Sequence, residues 1–137
     1  MRVTRAERGG WAVVTVAGEM DLISSPAVRQ QVHEAVADGR RSLVLDLAGV
    51  RFCDSSGVGV LIGARRLMRS CAGRLRIVLP AEGAVDPGAE PRTGRGAATG
   101  SGAHVNRVLA ALGVRRLFEV FPDLAAATDD AARPLSA

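Results

Sequence analysis

The run Arg51-Phe52-Cys53-Asp54-Ser55-Ser56-Gly57-Val58-Gly59-Val60-Leu61 leads from apolar residues into an acid, two adjacent hydroxyls and a glycine, and an apolar helical pattern follows directly. That order reads as a strand end, a turn and a helix start. It places Ser55 and Ser56 in the first helical turn, where backbone N–H groups lack intrahelical partners. A hydroxyl there can cap the helix. A phosphate carried there would meet the positive end of the helix dipole. The turn thus reads as a place suited to a reversible negative charge. Two hydroxyls stand where one cap suffices, and Asp54 offers further capping capacity beside them.

Upstream, Ser42-Leu43-Val44-Leu45-Asp46-Leu47 is almost continuously apolar, as in a strand covered on both faces. Trp11 to Ala17 is a strand dense in β-branched residues, preceded by a Gly9-Gly10 hairpin turn and a short strand-like lead-in, Arg2 to Arg8. Gly18-Glu19-Met20-Asp21 is expected to end that strand as a loop. Ser24-Ser25-Pro26 then announces a helix with a serine cap, and Val28, Val32, Ala35 and Val36 follow at helical spacing up to Gly39.

Downstream, the helix that opens at the serine pair is predicted to run from about Ser56 to Arg69 or Ser70. Val58, Leu61, Ile62 and Leu67 or Met68 supply its buried side, and Gly59 and Gly63 leave room for a close neighbour. Gly73 stops it, and Arg74 to Leu79 is a further strand. Val105, Val108, Leu109 and Leu112 fall at i, i+3, i+4 and i+7, and Gly113 closes that helix. Leu117 to Phe121 is a candidate edge strand and Asp123 to Ala132 a candidate terminal helix. Strands alternating with helices imply parallel pairing, so the fold class is α/β, one domain over residues 1–137. Residues 80–103 differ in character. Gly, Ala, Pro, Thr and acids dominate, Val85 is the one large aliphatic residue, and a flexible insertion is expected.

Composition narrows the function. With 47% hydrophobic and 23% charged residues the chain resembles an ordinary soluble domain, and 3% aromatic content calls for an aliphatic core. All 18 basic residues are arginine, which reads as codon usage in a GC-rich genome. The net charge of +4 comes without a basic run, which argues against nucleic-acid binding. Arg65, Arg66 and Arg69 read as a solvated helix face open to a protein partner. Cys53 and Cys71 have neither metal nor redox spacing, and Cys53 reads as a small buried hydrophobe. The first residues form no signal core, and no apolar run reaches spanning length, so a cytoplasmic location away from membranes is expected.

No catalytic constellation is apparent in the sequence. Gly57, Gly59 and Gly63 follow a GxGxxxG spacing, not the dinucleotide fingerprint, and a phosphate loop of the GK[ST] type needs a lysine. Neither serine has nucleophile-elbow context, and His33 and His104 are isolated. No metal site, no cofactor and no enzymatic activity are expected.

Three segments together resemble a known family. Gly18-Glu19-Met20-Asp21, Leu43-Val44-Leu45-Asp46-Leu47 and Phe52 to Leu61 are similar to the STAS-domain anti-sigma-factor antagonists of bacteria. Val105 to Val114 resembles that fold's third helix, so the likeness covers nearly everything outside residues 80–103. The resemblance implies a STAS-like mixed β-sheet with helices packed on one face. It implies a transcription regulator working by partner switching. Unphosphorylated protein would bind a cognate anti-sigma factor, itself a serine kinase, and release sigma factor. Phosphorylation on Ser55, the first serine of the turn, would inactivate it, and a phosphatase would reset it. The partner-binding surface implied is Asp21 with Asp54, Ser55, Ser56 and Gly57. Relatives of the fold also serve as non-switching subunits of lipid-transport or stressosome-type complexes, the alternative reading.

Overall fold

In a computed structural model, residues 1–79, 103–131 and 133–134 are described. The expected insertion at 80–103 therefore lies, except for Ala103, outside the described residues. The hairpin forms as predicted: β1 (Arg2–Arg8) and β2 (Trp11–Met20) pair antiparallel in unbroken register from Arg8↔Trp11 to Arg2↔Ala17. Gly9 and Gly10 turn the chain with φ of +58° and +84°, the left-handed pair that a two-residue hairpin needs.

Three crossovers follow, carried by α1 (Ser25–Ala37), α2 (Ser55–Ser70) and α3 (Ala103–Ala111), and they bring in β3 (Ser42–Cys53), β4 (Arg74–Val78) and β5 (Glu119–Phe121). Strand order is β1-β2-β3-β4-β5, with β2 through β5 all parallel. Because each crossover steps in the same direction with the same hand, all three helices land on one face of the sheet. Their residues Val28, Val32, Val58, Leu61, Met68, Val105 and Leu109 pack with Val14, Val16, Leu43, Leu45, Leu47 and Ile77 from the strands. Alternation along the strands sends Trp11, Val13, Val44, Val78 and Phe121 to the opposite face, where Ala127 of the one-turn helix α4 (Leu124–Ala127) closes over them. Both faces of β3 are thus covered, as its unbroken apolar run requires.

Several details differ from expectation. Gly18 does not end β2: it stays in the ladder at φ +106°, among register shifts between Thr15 and Glu19, and the strand continues to Met20. Leu112 completes the helical spacing but is exposed, since α3 ends at Ala111 and Gly113 turns the chain away. The terminal helix is a single turn, since the backbone of Thr128 leaves the helical region at φ −101° and ψ +6°; its hydroxyl donates to the Leu124 carbonyl at 2.9 Å. Arg65 is no simple solvated side chain; its Nε donates to the Leu117 carbonyl at 2.9 Å and ties α2 to the 3₁₀ turn Arg115–Leu117.

Candidate functional site

The carboxyl ends of β2 and β3 lie side by side, Met20 opposite Cys53. Beyond that pair the Asp54 N–H donates to the Met20 carbonyl at 3.1 Å. The two loops expected to matter, one holding Asp21 and one holding the serine pair, therefore start from the same spot on the sheet edge.

Asp54 is the helix cap. Its backbone is extended, and Oδ1 accepts from the N–H groups of Ser56 (2.9 Å) and Gly57 (3.1 Å). The carboxylate thus takes up two of the orphan donors that a serine hydroxyl might have served. Ser55 becomes the first helical residue. It is exposed, and no described residue hydrogen-bonds its hydroxyl. Ser56 is half-buried and faces a groove of about 300 Å³ between α1 and α2, lined also by Arg29, His33, Gly59, Val60 and Leu67. The adjacent hydroxyls are therefore unequal: one points to solvent, the other into a crease.

Gly57 is the glycine on which the turn depends. A Cβ there would stand 2.7 Å from Cys53 Sγ and 2.9 Å from both Met20 Cβ and the Met20 carbonyl oxygen. At Gly59 and Gly63, where close approach was expected, a Cβ would meet nothing within 4 Å. Those two glycines floor the groove and admit no neighbouring element. Cys53 is the buried hydrophobe the sequence suggested. Burial, and next the neighbouring Asp54 charge, push its thiol up to about 11, so it is neutral near pH 7.

Asp21 is committed within its own loop. Oδ1 accepts from the N–H of Ile23 (3.0 Å) and Ser24 (2.9 Å) and lies 2.9 Å from the Ser24 hydroxyl. The Ser24 amide above all, then the Ser24 hydroxyl, holds this carboxyl below the usual aspartate value. Ser24 accordingly does not cap α1 with its side chain. Its Oγ accepts from the Asp21 N–H (3.0 Å) and sits 2.5 Å from the Glu19 carbonyl, its one proton serving that oxygen or the carboxylate.

The loop between them displays Leu22, 71% exposed, and Ile23, 86% exposed. Sequence reasoning passed over both. The available signal was two bulky aliphatics between a strand and a helix, outside either periodicity. Phe52, 42% exposed, stands on the other flank, with its ring stacked on His104 at 5.2 Å between centroids. His104 Nε2 lies 3.3 Å from the Cys53 carbonyl, which binds the start of α3 to the serine turn.

The arrangement offers an exposed hydroxyl at a capped helix start, beside an internally hydrogen-bonded loop that displays two apolar side chains. Among the described residues no cluster of His, Cys, Asp and Glu could hold a metal ion, and no helix is long and apolar enough to cross a membrane. Among the described residues no side chain hydrogen-bonds the Ser55 hydroxyl, and the neighbouring Asp54 Oδ1 is taken up by the Ser56 and Gly57 N–H groups.

The STAS domain model matches residues 2–83. The chain is 42% identical over 59 residues to the anti-sigma-F factor antagonist RsfB of Mycobacterium tuberculosis, a match that takes in 43% of this chain and about half, 48%, of that relative's length. It is 31% identical over 78 residues to an anti-sigma F factor antagonist of Paenibacillus polymyxa, covering 56% of this chain and 67% of the relative. Among solved structures, an anti-sigma factor antagonist from Mycobacterium paratuberculosis superposes with a TM-score of 0.67 at 25% identity, over 92% of this chain and 89% of that one. The phosphorylated form of Bacillus SpoIIAA shares the fold with a TM-score of 0.57 at 19% identity, over 88% and 91%. The overall fold is that of these matches, and with the family model spanning residues 2–83 the chain belongs to the STAS domain family.

Proposed function

We propose that this protein is an anti-sigma-factor antagonist that binds a cognate anti-sigma serine kinase when unphosphorylated, and is released by phosphorylation on Ser55. The observation that carries the reading is the division of labour in the turn. Asp54 caps the helix, which leaves the Ser55 hydroxyl exposed and without a described partner. A kinase needs such a hydroxyl, and a partner surface can be fitted around it. The names of the curated relatives support the general role.

A phosphate on Ser55 would add about −1.5 to −2 charges at the first turn of α2. The helix dipole favours that charge by roughly 0.3–1 kcal/mol, so the fold tolerates it. A partner surface complementary to a neutral hydroxyl does not. The switch therefore acts on binding more than on folding.

Incubation with the cognate kinase and ATP, followed by peptide mapping, tests the assignment. One phosphate on Ser55, absent from Ser55→Ala, is the expected outcome. A label on Ser56, or none, overturns it, and the absence of any transfer would favour a non-switching STAS subunit.

A further inference from the structure

Asp21 belongs to the surface that the resemblance assigns to partner binding, yet among the described residues every hydrogen bond of its carboxylate runs through Oδ1 to its own loop, to Ile23 N, Ser24 N and Ser24 Oγ. The Ser25 N–H adds a bond to the Asp21 carbonyl at 2.9 Å. What this bracing holds out to solvent is Leu22 and Ile23, the two most exposed large apolar side chains among the described residues. An unbraced loop would be free to fold such side chains back onto the protein. This one keeps them in water, at a standing hydrophobic cost.

We propose that Leu22 and Ile23 are apolar anchors that enter an apolar pocket on the anti-sigma partner, and that Asp21 is a positioning residue which sets their loop. The inference rests on the reading that this partner meets Ser55. Three observations select a protein surface there. The Asp54 N–H bonds the Met20 carbonyl, so the loop leaves the sheet where the serine turn does, and a protein covering Ser55 reaches it. Glu19, Asp21 and Asp54 flank the pair in chain and ladder, with Arg51 the neighbouring cation on β3. That excess of acid disfavours an anionic lipid surface and suits a basic rim around a pocket. The backbone is already fixed by hydrogen bonds, so binding orders only two side chains.

The test measures affinity for the anti-sigma kinase that binds the wild-type chain, by titration calorimetry, together with phosphate transfer and thermal melting. Leu22→Ser/Ile23→Ser should lose about 30-fold or more in affinity, as expected for two aliphatic side chains left unburied. Its melting curve should match the wild type. For Asp21 the informative contrast is Asp21→Ala against Asp21→Asn. The amide keeps an Oδ1 acceptor, so it should rescue most of the affinity that alanine loses; a carboxylate in direct contact with a partner cation would not be rescued. The inference falls if the double variant binds within about threefold of wild type, or if its only effect is to dissolve a homodimer. It falls for Asp21 if asparagine binds as poorly as alanine. In those cases wild type still binds and accepts phosphate on Ser55, so the reading of Ser55 stands. Wild type that neither binds nor accepts phosphate sinks that reading and takes the inference with it.

Discussion

Gly57 and Asp54 show how much of the serine turn is settled by single atoms. Gly57→Ala would drive a methyl to 2.7 Å from Cys53 Sγ and 2.9 Å from the Met20 carbonyl, and backbone on that side has no room to yield. We expect a loss of about 1–3 kcal/mol, the usual cost of overpacking, despite alanine's better helix propensity. Asp54→Ala should cost roughly 1 kcal/mol by uncapping α2. Urea unfolding of the two variants checks both, and a neutral Gly57→Ala would contradict the packing described. The need for an acid and a glycine here was legible in the order Asp-Ser-Ser-Gly. Which residue caps was not, because Ser55 and Asp54 are both good N-caps and the choice depends on where β3 releases the chain. Likewise Ser24 reads as a cap by type, yet its hydroxyl is drawn to the Glu19 carbonyl and the Asp21 loop, partners that exist only once β2 has run to Met20.

At the scale of elements, patterning carried most of the fold. The hairpin, the apolar central strand and the three crossover helices follow from turn chemistry and periodicity, and their order dictates one-sided packing. Where patterning failed, tertiary context decided: Gly18 is held inside β2 by its neighbours' ladder, and Leu112 is left in solvent by the end of α3. Glycine spacing on α2 was the clearest misreading. Gly59 and Gly63 look built for a close helix contact, but a Cβ at either meets nothing, so the groove beside Ser56 is open. It follows that Gly59→Ala and Gly63→Ala should each stabilise the protein, by about 0.5–1 kcal/mol, because they add helix propensity without a clash. Two glycines on one helix would then respond oppositely to Gly57. Thermal melts that rise for Gly59→Ala and fall for Gly57→Ala support this geometry; a fall for both would show that something packs into the groove.

On the scale of the whole molecule, the two faces of the sheet do different work. The helix face positions the site, while the opposite face ties down the C-terminal segment through Arg76. That side chain is 6% exposed, lies 4.7 Å from the rings of Trp11 and Phe121, and donates from Nη1 to the carbonyls of Ala127 (3.1 Å) and Asp129 (2.8 Å). Arg76→Met would keep the volume but strand both carbonyls and remove the ring contacts, a net loss of about 1–3 kcal/mol. Limited proteolysis should then cut near α4 first, with kinase binding at the far sheet edge unaffected. Nothing in the sequence announced this arginine, since all basic residues here are arginine and only the fold distinguishes a buried one. The central claim, that charge on Ser55 controls partner binding, is tested most directly by one titration. Affinity for the anti-sigma kinase is compared for unphosphorylated protein, protein phosphorylated on Ser55, and Ser55→Ala. Phosphorylated protein should bind at least about tenfold more weakly than the other two, as expected for a charge set against a surface fitted to a hydroxyl. Equal affinity for phosphorylated and unphosphorylated protein would contradict the account.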